Sequence, residues 1–155
     1  MSHRWLDSPV TQVRCDALVV GVFRDDPLQG AAADINGASD GLLARMIEAQ
    51  EFTPKLAQTV LCFELKGVAA PLVAFVGLGA RGEWSTTSCF RAAGAAARAV
   101  SDRARAGVAF WIHDPADAVQ AEALVAGAMV GCVGTDLYRD TKSRHPIGEF
   151  LWPAS

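Results

Sequence analysis

The chain has 155 residues, of which 51% are hydrophobic and 20% charged, values of an ordinary single globular domain that exclude both wholesale disorder and a disulfide-dense scaffold. Its 14 basic and 17 acidic residues leave a formal charge of −3, so there is no broad cationic field to attract a phosphate backbone, and nucleic acid is not an expected partner. Basic residues gather locally at Arg98, Arg103 and Arg105 and at Arg139, Lys142 and Arg144, but Asp102, Asp136 and Asp140 accompany them, the pattern of solvated helix ends.

In chain order, the first clear element is the apolar, β-branched run at 17–23, bounded by Asp16 and by Arg24-Asp-Asp-Pro27, which reads as a strand buried on both faces. Residues 28–50 are alanine-rich, with Asn36-Gly37 as an interruption and Ser39 or Asp40 as a cap for a fresh start, which predicts a short helix and then a longer one ended by Pro54. Two strands follow, at 59–65 and 71–77. Their connection is too short for a parallel crossover, so they are expected to pair antiparallel and to make the sheet mixed. Ser85 is placed to cap a helix running from Thr87 to Arg105, whose small residues would let it lie close to a sheet. A strand at 107–112 is broken by His113-Asp-Pro115, and a long helix over 116–137, apolar round most of its circumference, should be buried. After it, 145–155 forms an apolar carboxy-terminal tail. Phe150, Leu151 and Trp152 in that tail are candidate interface residues, packing on the domain itself or on another subunit.

Cys15, Cys62, Cys89 and Cys132 stand singly among apolar or small neighbours, as buried reduced thiols do. The start lacks a cationic segment leading into an apolar run, and no stretch reaches the roughly 20 apolar residues of a membrane span, so a cytoplasmic location is the expectation.

Among the candidate constellations the sharpest is Gly77-Leu-Gly79-Ala-Arg-Gly82, a Gly-x-Gly-x-x-Gly after a strand and shortly before a helix. Such glycines can bring backbone amides up to a pyrophosphate, and Ser85 and Thr86 at the helix start could add an anion site, so Gly77, Gly79, Gly82, Ser85 and Thr86 are the candidate ligand-binding residues. A plain tight turn and an N-cap are the alternative readings of the same residues. The three histidines stand far apart, no Gly-x-Ser-x-Gly elbow occurs, and Asp114 reads more simply as a turn residue than as a ligand. Neither a metal, a cofactor nor a catalytic set is expected from these residues.

Taken in order, Cys15-Asp-Ala-Leu-Val-Val-Gly-Val-Phe23, Ala57-Gln-Thr59, Val76-Gly-Leu-Gly79, Arg91-Ala-Ala-Gly-Ala-Ala-Ala-Arg98 and Glu122-Ala-Leu-Val-Ala-Gly-Ala-Met-Val-Gly131 resemble the amino-terminal domain of leucyl aminopeptidases. The stretch at 136–143 is similar to the segment where that domain runs into the catalytic one. The resemblance implies a macro-domain-like fold over residues 1–144: three layers, α/β/α, with helices flanking a mixed sheet.

It also implies where the chemistry lies. In that family the metal ions, the catalytic lysine and arginine and the Asn-Thr-Asp-Ala-Glu-Gly-Arg motif belong to a carboxy-terminal domain, and only twelve residues follow Ser143 here. The expectation is therefore a stand-alone, non-catalytic relative with an assembly or regulatory role, partnered by itself or by a separate aminopeptidase catalytic subunit. The alternative is a macro-type module binding a nucleotide or ADP-ribose-like anion. Against it, the asparagine-rich continuation of the macro first strand is replaced by Val20-Gly-Val-Phe23. A truncated remnant without activity is a third reading.

Overall fold

The structure, a computed structural model, describes residues 1–113, 117–133 and 144–154. Strands β1 (Ser2–Leu6), β2 (Ala17–Phe23), β3 (Thr59–Phe63), β4 (Leu72–Gly79), β5 (Gly107–Trp111) and β6 (Glu149–Pro153) form one sheet in the order β1-β6-β5-β2-β4-β3. Only β3 runs antiparallel to its neighbour, pairing Thr59 with Val76 through to Phe63 with Leu72, as its short connection to β4 requires. The remaining pairs are parallel.

Helices α1 (Ala31–Ala38) and α2 (Leu42–Glu48) cover one face, and α3 (Thr86–Val100) and α4 (Ala118–Gly131) cover the other. The alternation along β2 shows why two layers are needed. Ala17, Val19 and Phe23 enter the core beneath α3 and α4, while Leu18, Val20 and Val22 enter the core beneath α1 and α2. The architecture is thus the expected α/β/α sandwich on a mixed sheet.

Several boundaries differ from the sequence reading. Asn36-Gly37 does not interrupt α1; the break falls at Asp40 and Gly41, both at positive φ, and Gly41 rather than Ser39 or Asp40 is the N-cap of α2. The Asn36 side chain survives inside the helix because its Oδ1 accepts the Ala44 amide at 2.9 Å and so ties α1 to α2. Helix α3 ends at Val100, and Arg105 lies beyond it, buried, with Nη2 donating to Asp102 at 3.2 Å.

The carboxy-terminal tail is a strand. β6 inserts between β1 and β5, so Phe150 and Leu151 are 0% and 1% exposed and Trp152 is also buried. These three side chains complete the chain's own core instead of forming an outward patch. Phe150 and Trp152 point to the α3/α4 layer, and Leu151 points to the α1/α2 layer.

Helix α4 starts at the Asp117 cap, which accepts the Gln120 amide at 2.9 Å. It is not buried all round: its outer side exposes Val119 and Val130. It ends at Gly131, with Cys132 as its C-cap, short of the expected end near Leu137; Asp114, Pro115 and the segment at 136–143 lie outside the described residues. No described helix is long and apolar enough to cross a membrane.

Glycines set the spacing between α3 and α4. A Cβ on Gly127 would meet the Phe90 carbonyl oxygen at 2.3 Å, and one on Gly131 would meet that of Gly94 at 2.3 Å. The two helices therefore run side by side at backbone contact, which the alanine-rich face of α3 also permits.

Candidate functional site

A parallel sheet offers its crevice at the carboxyl ends of neighbouring strands whose outgoing connections leave on opposite faces. Here β2, which leads to α1, diverges in this way from both its neighbours, β5, which leads to α4, and β4, which leads to α3. A cavity of about 480 Å³ opens at that point. Its floor includes Gly21 and Phe23 of β2 and Trp111, Ile112 and His113 at the end of β5; Val10, Gly30, Ala31, Asp34 and Pro153 close it from the sides.

Two glycines shape the cavity, one by close approach and one by its backbone conformation. A Cβ on Gly21 would sit 2.1 Å from the Ile112 carbonyl oxygen, so only glycine lets the two strands stay side by side here. Gly30 turns into α1 at φ +57°, a conformation that L side chains rarely adopt, and Asp34 follows in the helix's first turn, where a carboxylate complements the helix dipole.

The rings beside the cavity brace one another. Phe23 meets Trp84 edge-on at 5.5 Å between centroids and His113 edge-on at 5.0 Å, and Trp84 meets His113 at 5.7 Å. Above Phe23 lies the Arg81 guanidinium, 4.2 Å from the ring centroid. The backbone N–H of Arg81 donates to Asp25 Oδ1 at 2.9 Å, and this bond holds the Asp25 carboxyl below its ordinary pKa. Arg81 Nη2 reaches the Asp26 carbonyl at only 3.5 Å, so the guanidinium is placed by stacking more than by hydrogen bonding.

A stacked guanidinium keeps its edge free for a planar, bidentate partner such as a carboxylate or phosphate. The cavity therefore suits binding. Among the described residues, no three His, Cys, Asp or Glu side chains come together in a way that could hold a metal ion.

The residues singled out from the sequence are placed differently. Gly77 and Gly79 lie at the carboxyl end of β4, and their amides donate to the carbonyl oxygens of Gln58 and Pro54 at 2.7 and 3.2 Å, so neither is left to cradle an anion. A Cβ on Gly77 would lie 2.0 Å from the Lys55 carbonyl oxygen, which gives that glycine a packing role. Gly82, Ser85 and Thr86 do not line the cavity; Ser85 caps α3, accepting the Ser88 amide at 3.2 Å. Of the glycine-rich stretch, Arg81 is what reaches the cavity.

Phe23, Asp34, Trp111 and His113 escaped the sequence reading because they come from separate segments. The one local signal was position: Phe23 and His113 each stand where a predicted strand stops.

A model of the amino-terminal domain of the cytosol aminopeptidase family matches residues 19–145. The chain belongs to this family. A probable cytosol aminopeptidase of Burkholderia pseudomallei (strain 668) is 40% identical over 87 residues, which are 56% of this chain and 17% of that protein. One from Xanthomonas axonopodis pv. citri (strain 306) is 37% identical over 94 residues, 61% of this chain and 19% of that one.

Solved structures agree on the fold. A tomato leucine aminopeptidase mutant superposes with a TM-score of 0.72 at 23% identity, covering 99% of this chain and 32% of that one. The bottromycin maturation enzyme BotP in complex with Mn gives a TM-score of 0.60 at 24% identity, over 88% and 26% of the two chains. The match spans less than a fifth of the curated family members quoted above.

Proposed function

We propose that this domain serves an aminopeptidase of its family in assembly or regulation, docking on a catalytic subunit or on a second copy of itself, and does not carry out hydrolysis. The observation that carries this reading is the outer side of α4. Val119 and Val130 are 58% and 59% exposed there, with Ala126 exposed between them, on a helix that is apolar on its buried side as well. Glu122 is exposed in the same row, so the outer side is an apolar stripe carrying one acid, a surface that a partner can cover. Phe90, on the neighbouring α3, is exposed too. Membership of the family supports the reading, because the relatives are aminopeptidases of which the matching region is a small part.

Light scattering on the chain alone, and mixed with the catalytic portion of a cytosol aminopeptidase, tests it. The expected result is a dimer or a mixed complex that Val130→Glu disrupts without changing the melting temperature. A monomer that ignores the catalytic portion would remove the reading.

The second reading, a module for a nucleotide or ADP-ribose-like ligand, is favoured by Arg81 stacked on Phe23 at the crevice. Calorimetry with ADP-ribose and AMP decides it, and no binding at millimolar ligand ends it.

A further inference from the structure

The two outer edges of the sheet are guarded differently. β1 carries Arg4, exposed and paired with Glu149 at 3.1 Å, and a charge on an edge strand discourages a further strand from adding. β3, at the opposite edge, reads Thr-Val-Leu-Cys-Phe over Thr59–Phe63 and holds no charge.

The ladder with β4 fixes which way the β3 backbone points. The Gly77 amide donates to the Gln58 carbonyl at 2.7 Å and the Glu64 amide to the Pro71 carbonyl at 2.9 Å, so the even-numbered residues of β3 face β4. Thr59, Leu61 and Phe63 therefore turn their N–H and C=O groups outward, and these groups have no hydrogen-bond partner among the described residues. The same three side chains share one face of the strand. Leu61 packs there on the core beneath α3 and α4, while Thr59 is exposed and Phe63 is 67% exposed.

This edge is complementary to itself. An antiparallel two-fold with Leu61 on its axis sets Leu61 opposite Leu61 of the second copy, and Thr59 opposite Phe63 of the second copy. In that register every outward N–H meets an outward C=O, because the residues set opposite one another are the ones whose groups point out. The side-chain pairs are leucine on leucine and a β-branched residue on an aromatic ring, both favourable across antiparallel strands. No like charges meet. Just beyond the strand, Gln58 comes beside Glu64 of the second copy, an amide donor beside a carboxylate.

We infer that the outer edge of β3 is the docking site for a second copy of this chain, joined antiparallel about Leu61 so that the two sheets continue as one. The inference rests on the assembly reading above and divides its surfaces: β3 takes the second copy, and the outer side of α4 is left for the catalytic subunit.

Dilution of the full chain from about 1 mM to about 10 μM, followed by sedimentation and amide hydrogen exchange, tests it; the range is high because pairing one short strand buries less than a standard interface. At the upper end the amides of Thr59, Leu61 and Phe63 should exchange about tenfold more slowly than at the lower. Those of Val60 and Cys62, already bonded to β4, should not change. Phe63→Lys and Thr59→Lys, both at exposed positions, should each weaken dimerisation by about tenfold or more and melt as the parent does. Val130→Glu should leave the dimer intact. The exchange pattern of the parent needs no variant, so it decides even if a lysine variant fails to fold.

A chain that stays monomeric at about 1 mM overturns the inference. The assembly reading then stands if the catalytic portion is still bound and falls with it if not. A dimer that Val130→Glu disperses and the lysine variants leave whole overturns the inference and keeps the reading. So does a dimer in which the Thr59, Leu61 and Phe63 amides exchange alike at both concentrations.

Discussion

The indole Nε1–H of Trp152 donates to Nδ1 of His3 at 3.1 Å, and the same imidazole stacks on Phe150 at 4.9 Å between centroids. This joins the edge strand β1 to β6, its single neighbour in the sheet. The bond requires an unprotonated Nδ1, so the ring's proton sits on Nε2. His3→Phe would keep the stacking and leave the nearly buried indole N–H without its acceptor. The expected cost is about 1–3 kcal/mol in urea unfolding, with faster hydrogen exchange in β1 than in β5. Unchanged stability would mean that water replaces the imidazole at no cost.

Backbone contact between α3 and α4 makes Gly127 and Gly131 intolerant of a side chain. Gly127→Ala and Gly131→Ala each push a methyl into a carbonyl oxygen 2.3 Å away, so each should lower stability by about 1–3 kcal/mol or more despite alanine's better helix propensity. Gly82→Ala is the control, since nothing lies within 4 Å of the added atom, and it should fall within about 0.5 kcal/mol of the parent. Thermal denaturation of the three variants is sufficient.

At Gly21 the same argument reaches the crevice. Gly21→Ala places a methyl 2.1 Å from the Ile112 carbonyl, which forces β2 and β5 apart at their carboxyl ends. Stability should fall by about 1–3 kcal/mol, and the indole signal of Trp111 should shift more than that of Trp5. Equal shifts at both would show that the disturbance spreads through the sheet to β1 instead of staying at the crevice.

The cysteine thiols make the fold sensitive to alkali. Burial, the largest cause, pushes the Cys15 thiol up from 9.0 to about 11, and burial also raises Cys62 and Cys89. The folded state thus holds the Cys15 proton longer than the unfolded state does. Its contribution is whole below pH 9.0 and is lost as the pH climbs toward about 11. Unfolding midpoints should fall over that window in the parent and less so in Cys15→Ala. Near neutrality, alkylation of the native chain should be slow and should accelerate on unfolding.

Much of the architecture was legible in the chain itself. The run at 17–23 matches β2, and the short link between 65 and 71 dictated the antiparallel β3–β4 pair. The ordered small-residue segments pointed to the aminopeptidase amino-terminal fold. These features are local, or depend on chain length between elements, so periodicity and spacing carry them.

Strands β1 and β6 were not legible as strands. β1 mixes Ser2, His3 and Arg4 with Trp5, and all five residues of β6 come from a segment that reads as a sticky tail. Their identity depends on pairing: Phe150 and Leu151 become core because β5 is already there to receive β6, and β1 is held in turn by β6.

Composition, hydrophobic patterning and family order by themselves determined a mixed α/β/α domain of the cytosol aminopeptidase family, because burying two faces of a sheet leaves its mark on consecutive residues. Only the tertiary structure decided where the crevice lies. Arg81, Asp34, Phe23 and Trp111 belong to four separate segments, and they meet because β2 and β5 send their connections to opposite faces. That divergence is a property of topology, and no single stretch of the chain records it.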